Sequence, residues 1–262
     1  MRPIVAFLTD FGTRDHYSGV MKGVVLSLCP DVTIVDVTHE LPVHDLTAAA
    51  YHLAATYKFF PPGTIFVTVV DPGVGSARRG IAVEAGDWRF VAPDNGVLTL
   101  VVRETPVKTA VELTERRYAR PTISRTFEGR DRFAPAAAWL AKGTNMTALG
   151  RPAHDLVQLD LPVLEQTRDT IAGAIVRIDR FGNAISNIDR KAFEHLASGR
   201  SVVILAGGKP VDRIVATYAE IGQGEVCALF GSTDHLEFAA QAGSAAELRG
   251  LSLGTPVLVT RG

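Results

Sequence analysis

The sequence predicts an α/β N-terminal domain with a largely parallel sheet, plus a smaller C-terminal β-barrel domain. Three observations carry this. Strand-length apolar runs alternate with helical periodicities across residues 4–141. The rhythm fails over residues 151–168, where Pro152 and Pro162 break up a stretch with few periodic apolar positions. Short β-rich runs separated by Gly and Asn then follow as far as Thr260. A βαβα rhythm implies parallel strands covered by helices, and short, regularly punctuated strands imply a barrel or sandwich. The expected domains are residues 1–160 and 168–262, with the boundary falling within 155–170.

The elements follow in order. Residues 4–8 read as a strand, and residues 17–29 as a helix with Val20, Val24, Val25 and Leu28 on one face. A strand over 32–37, an Ala-rich helix over 46–59 and a third strand over 64–70 continue the alternation. Residues 81–84 and 89–91 form a pair joined near Gly86-Asp87. Residues 95–102 read as a short helix, 107–111 as a strand and 132–141 as a helix. In the second half, strands are expected at 171–178, 201–205, 226–230 and 256–260. No internal repeat or low-complexity tract is visible.

Composition narrows the function classes. At 262 residues the chain can bury a full core. A formal net charge of -1 leaves no electrostatic footprint for nucleic acid or an anionic membrane. No apolar run approaches the ~18 residues of a membrane span, and the stretch before Asp10 is too short for a signal peptide. Cys29 and Cys227 each sit in an apolar stretch and read as buried thiols of a reducing compartment. The expected location is the cytoplasm. The histidines, His39 and His44 among them, show no metal-ligand spacing and read as structural or loop residues. No metal and no cofactor is expected.

Chemistry concentrates in a few segments. The apolar run 64–70 ends in Asp71, a turn built on Pro72, Gly73 and Gly75, and then Arg78 and Arg79. A carboxylate at the end of a buried strand, with an arginine returned by a glycine turn, builds a polar site on an α/β scaffold; the same residues also suit a plain turn. The first strand ends in Thr9-Asp10-Phe11-Gly12 with Asp15 close behind. A strand-end carboxylate offers two coplanar acceptors to the hydroxyls of a ribose, whereas Asp15 also suits a helix N-cap. G-x-G-x-x-G and Walker loops are absent, which favours a nucleoside without a polyphosphate. Pro93-Asp94-Asn95-Gly96 is a turn signal. Phe127-Glu128-Gly129-Arg130-Asp131-Arg132 is densely charged between aromatics and suits a helix start or the wall of a polar pocket. Phe181 and Asn183, in Asp179-Arg180-Phe181-Gly182-Asn183, suit stacking and edge hydrogen bonds to a purine. Phe230-Gly231-Ser232 and Gly243-Ser244-Ala245-Ala246 offer small residues for close backbone approach.

Together, in this order and spacing, these segments resemble the S-adenosyl-L-methionine (SAM) hydroxide adenosyltransferase family, whose halogenating relatives are SAM-dependent chlorinases and fluorinases. The resemblance runs over nearly the whole chain. It implies SAM as substrate, hydrolysis to adenosine and methionine, and a homotrimer with active sites at subunit interfaces. It also implies catalytic roles for Asp71, Arg78 and Glu128: Asp71 orients or deprotonates the water, Arg78 pairs with Asp71, and Glu128 pairs with Arg78 or serves as an alternative base. Asp10 would hold the ribose hydroxyls, Phe181 and Asn183 would contact the adenosyl or methionine part, Ser232 the methionine end, and Ala245 the adenine through its backbone. Asp15, Asn95, Phe127 and Phe230 complete the expected substrate contacts. Hydrolytic members are similar at Asp71 and Arg78 but carry a histidine where this chain has Glu128; halogenating members are similar elsewhere but carry an uncharged residue in place of Asp71. A non-catalytic SAM or adenosine binder is the alternative from another class.

Overall fold

The computed structural model describes residues 2–262 and divides into two compact units, one ending at Leu159 and the other running Asp160–Gly262. In the first unit the order is β1 (Ile4–Thr9), α1 (Tyr17–Leu28), β2 (Thr33–Thr38), α2 (Leu46–Ala54), β3 (Ile65–Val69), β4 (Gly80–Ala85), β5 (Trp88–Pro93), α3 (Thr99–Glu104), β6 (Val107–Leu113), α4 (Ala134–Ala141) and β7 (Gly150–Pro152). The strands form one sheet in the order β2-β1-β3-β5-β4-β6-β7.

This sheet is mixed, which corrects the largely parallel expectation. The pairs β1–β2, β1–β3 and β3–β5 are parallel. The pairs β4–β5, β4–β6 and β6–β7 are antiparallel. The cause is local. A two-residue turn at Gly86-Asp87 can only return the chain antiparallel, because a parallel partner needs a crossover. Alternation along β1 sends Val5 and Phe7 into one core and Ala6 and Leu8 into the other. Met21 and Val25 of α1 pack on the first face with α4, while Ala49 and Leu53 of α2 pack on the second. The chain therefore leaves β1 over one face and reaches β3 over the other. That reversal makes the carboxyl ends of β1 and β3 a topological switch point, where open α/β sheets hold ligands.

Other boundaries moved. The expected helix over 46–59 stops at Ala54, where the Thr56 hydroxyl takes the His52 carbonyl, and a 3-10 turn Tyr57–Phe59 follows. The short helix expected at 95–102 lies at Thr99–Glu104, because Asn95 and Gly96 are spent on the turn before it. The helix expected from Arg132 begins earlier, through a π-helical turn over Gly129–Phe133.

In the second unit the order is β8 (Glu165–Gln166), β9 (Thr170–Ile178), β10 (Ala184–Asp189), α5 (Arg190–Ala197), β11 (Val202–Ala206), β12 (Lys209–Val211), β13 (Val226–Phe230), β14 (His235–Ala240), α6 (Ala245–Arg249) and β15 (Pro256–Arg261). The sheet runs β12-β11-β15-β9-β10-β14-β13, with every ladder antiparallel. Residues just after β12 bond to β13, Ala228 N donating to Arg213 O and Val215 N to Ala228 O, each at 2.9 Å. The sheet is thus a nearly closed barrel around Ile171, Ile188, Phe238 and Val259. Among the described residues no helix is long and apolar enough to cross a membrane, and no His/Cys/Asp/Glu group of three or more is placed to hold a metal ion. Cys29 and Cys227 are free and buried.

Candidate active site

In the β1–β3 ladder Thr9 lies opposite Val69. Asp10 and Asp71 therefore leave the sheet at the same end, from neighbouring parallel strands. Both line a cavity of about 220 Å³, together with Phe11, Val43, His44, Val74, Phe127, Glu128 and Gly129.

The turn after β3 delivers the arginine. Val74 N donates to Asp71 O at 3.2 Å and Ser76 N to Gly73 O at 3.1 Å. Gly75 sits at φ +79°, and a Cβ there would lie 2.5 Å from the Arg125 carbonyl oxygen, so the turn and the 125 loop interlock only with glycine. Arg78 comes back onto Asp71: Nε donates to Oδ1 at 3.0 Å and Nη2 donates to Oδ2. Its Nη1 lies 2.5 Å from Glu128 Oε2. That second contact is a charge pair without hydrogen-bond alignment, and the buried Oε2 accepts no hydrogen bond. Glu128 Oε1 has Arg132 Nε at 3.6 Å. The Arg78 guanidinium carbon lies 5.4 Å from the Phe133 ring centroid.

Glu128 immediately precedes the π-helical turn. A π turn shifts the register of side chains by one residue and recurs at functional sites. Here it leaves Glu128 on the cavity while Asp131 and Phe133 point inward and are fully buried. Burial alone would push the Asp131 carboxyl up. Hydrogen bonds from Arg130 at 2.7 and 2.8 Å and from Ser124 N at 2.8 Å outweigh it and hold the group below the usual carboxylate range. Phe127 packs edge-on against Tyr17 at 5.2 Å and against Phe11 at 6.1 Å, which walls the cavity with rings.

Asp10 is held from a distant segment. His44 N donates to its Oδ2 at 2.8 Å, with His44 in a left-handed conformation at φ 63°. The preceding Thr9 and buried His39 share a hydrogen bond of 2.8 Å, and His39 Nε2 lies 3.1 Å from Asp36 Oδ1. His39 O also accepts from Gly12 N at 2.7 Å. Burial raises Asp36, but Lys22 at 2.6 Å and His39 outweigh it and lower its pKa.

Some expected contacts lie elsewhere. Asp15 is exposed and does not cap α1; His16 occupies that position without a side-chain cap. The Asn95 amide is spent on the fold, donating to Val70 O at 2.9 Å and accepting from Val97 N at 3.3 Å. His44, Val43 and Phe11 line the cavity without having been singled out as contacts. Arg79, next to Arg78, turns away and pins Asp94 at 2.8 Å and Asp155 at 2.8 Å.

The second unit carries its own cluster. A cavity of about 440 Å³ is lined by Asp179, Phe181, Gly182, Ser244 and Ala246 among others. Phe181 is 77% exposed. Asn183 is buried, with its amide on Asp179 Oδ2 at 3.0 Å. Gly182, at φ +84°, lies where a Cβ would strike Ser244 at 2.3 Å, and its carbonyl accepts from Ala246 N at 3.0 Å. This contact seats the start of α6, including the buried Ala245, on the Phe181 turn. Ser232 is exposed, and Phe230 packs against Phe193 at 5.1 Å and under Arg190. Neither lines the cavity. Glu237 of β14 is 4% exposed and accepts from the Tyr218 hydroxyl at 2.5 Å. Burial and the nearby Asp179 raise its pKa against the opposing effects of Tyr218 and Arg177.

The sequence profile of the SAM hydroxide adenosyltransferase N-terminal domain matches residues 5–150, and that of the C-terminal domain matches residues 173–258. The chain is 40% identical to a (R)-S-adenosyl-L-methionine hydrolase of Thermus thermophilus, over 98% of this chain and 99% of the relative. It is 31% identical to a fluorinase of an Actinoplanes species, over 99% of this chain and 98% of the relative. The crystal structure of an uncharacterized conserved protein from Thermotoga maritima superposes with a TM-score of 0.90 at 33% identity, covering 98% of this chain and all of that one.

Proposed function

The chain belongs to the SAM hydroxide adenosyltransferase family, and from that premise we propose that it hydrolyses S-adenosyl-L-methionine to adenosine and L-methionine. Water attacks C5′ of the ribose. The C5′–S bond breaks with its electron pair going to sulfur, so methionine leaves as a neutral thioether. Because the sulfonium already carries the positive charge, the leaving group needs neither an acid nor a metal. The work left to the protein is to hold water in line with the C5′–S bond, take its proton and exclude bulk solvent.

The observation that carries this reading is the cavity outside β1 and β3, where Asp71 and Glu128 face one pocket and share Arg78. Asp10, on the same cavity, receives the ribose hydroxyls and keeps Oδ1 for them while Oδ2 takes His44 N. Phe127 contributes an apolar wall. Phe181 stacks on the adenine, the backbone at Ala245 contacts it, and Asn183 and Ser232 lie toward the methionine end. Asp15 and Phe230 complete the proposed substrate contacts, and Asn95 supports the site from the fold, its amide donating to Val70 O. A homotrimer with active sites at subunit interfaces, in the cytoplasm and without a cofactor, completes the proposal.

Halide attack fits less well. A halide about 4 Å from either carboxylate meets roughly 4 kcal/mol of opposition at an effective dielectric of about 20, and Arg78 is already engaged by both. The test is incubation with SAM in chloride buffer followed by chromatography. Equal amounts of adenosine and methionine are expected. 5′-Chloro-5′-deoxyadenosine would establish halogenation instead, and bound SAM without products would establish a binding protein.

A further inference from the structure

We propose that Glu128, and not Asp71, takes the proton from the attacking water. The inference rests on the hydrolytic reading above and divides the labour between two carboxylates on one cavity.

The two differ in what their oxygens are doing. Asp71 accepts aligned N–H bonds from Arg78 on both oxygens, Nε on Oδ1 and Nη2 on Oδ2. This is the side-on, bidentate arrangement in which a guanidinium occupies the lone pairs facing it. Protonating Asp71 would break that arrangement. Glu128 has the same cation nearby but not the same bonds. Its Oε2 is 2.5 Å from Arg78 Nη1, is buried, and accepts no aligned hydrogen bond. Its Oε1 is 3.6 Å from Arg132 Nε, beyond hydrogen-bond range. Glu128 Oε2 is taken up by its ion pair with Arg78 Nη1, whereas Oε1 accepts no hydrogen bond and is open to a water. Glu128 lines the cavity where the water must sit.

The step balances. A water O–H bond breaks and its proton goes to Glu128 as the O–C5′ bond forms and the C5′–S pair moves to sulfur. The sulfonium loses its positive charge as Glu128 loses its negative one, so the reaction carries no net charge out of the cavity. Protonated Glu128 then returns the proton to solvent. Asp71 is a positioning residue in this scheme: it holds Arg78, and Arg78 holds Glu128 in place.

The test compares Glu128→Ala, Glu128→Gln and Asp71→Ala, with folding checked by thermal melts and SAM binding by calorimetry. Glu128→Ala should lower kcat by about 10²- to 10⁴-fold, the usual contribution of a general base, with SAM still bound. Added formate should restore part of that loss in Glu128→Ala and none in Asp71→Ala. The assignment is overturned if Glu128→Gln keeps kcat within about threefold of the parent protein, or if formate rescues Asp71→Ala and not Glu128→Ala. A parent protein that binds SAM and releases no adenosine overturns the hydrolytic reading and this assignment with it; adenosine release with an indifferent Glu128 overturns the assignment alone.

Discussion

Arg78 grips Asp71 side-on through Nε and Nη2 while its remaining Nη1 lies against Glu128. Both members of the Arg78–Asp71 pair are nearly buried. Removing one partner from a buried pair leaves an uncompensated charge, at a cost of roughly 3–5 kcal/mol. Arg78→Met should show a loss of that order in urea denaturation, together with loss of activity. Arg78→Lys should recover much of the stability but little of the activity, because an ammonium cannot hold two carboxylates in one plane.

Gly75 and Gly63 separate two costs of replacing glycine. Both have positive φ, +79° and +85°, but only at Gly75 does a new Cβ meet another segment, the Arg125 carbonyl at 2.5 Å. Gly63→Ala should cost about 1–2 kcal/mol from the left-handed backbone alone. Gly75→Ala should cost more and should also lower kcat by displacing Arg78. Equal destabilisation of the two variants in denaturant melts would show that the Gly75–Arg125 contact carries no weight.

Phe181→Ala should leave the unfolding free energy almost unchanged, within about 0.5 kcal/mol, as expected of an exposed residue. If the ring stacks on adenine, loss of roughly 1–3 kcal/mol of stacking should raise KM for SAM about 5- to 150-fold. A KM that does not move would remove Phe181 from the site.

Glu237 predicts a pH dependence of stability. Its pKa is raised above the ordinary 4.5, first by burial. The folded chain therefore holds this proton to higher pH than the unfolded chain does. The contribution is fully present below pH 4.5 and fades as pH rises through the folded value. Glu237→Gln carries no such proton, so its stability relative to the parent should increase with pH above about 4.5. Denaturation at pH 4 and pH 8 measures it, and an unchanged difference between the two would contradict the prediction.

The strand-end residues of the site were legible because they depend on local pattern. A buried apolar run ending in Asp71 and a glycine turn can be read without knowing the neighbours, and so can Asp10. The dense segment at Phe127 and Glu128 was visible as either a helix start or a pocket wall, and it serves as both. His44 was not legible. It lies in a proline-containing loop, and only its non-local bond to Asp10 brings it to the cavity. The π-helical turn was hidden for a related reason: a single widened turn leaves too short a trace in the apolar periodicity. The Gly86-Asp87 pair was visible, but its consequence for sheet direction depends on β6 adding to the outer edge of β4. In the second unit β10, with its polar Ser186 and Asn187, lacks the continuous apolar run that marks a strand.

The most direct measurement of the central claim is the fate of oxygen during turnover. Incubation with SAM in ¹⁸O-labelled water, followed by mass spectrometry of the nucleoside product, should yield adenosine carrying one ¹⁸O at its 5′-hydroxyl, with methionine unlabelled. Unlabelled adenosine, a 5′-halogenated nucleoside, or tightly bound SAM with no nucleoside released would contradict it.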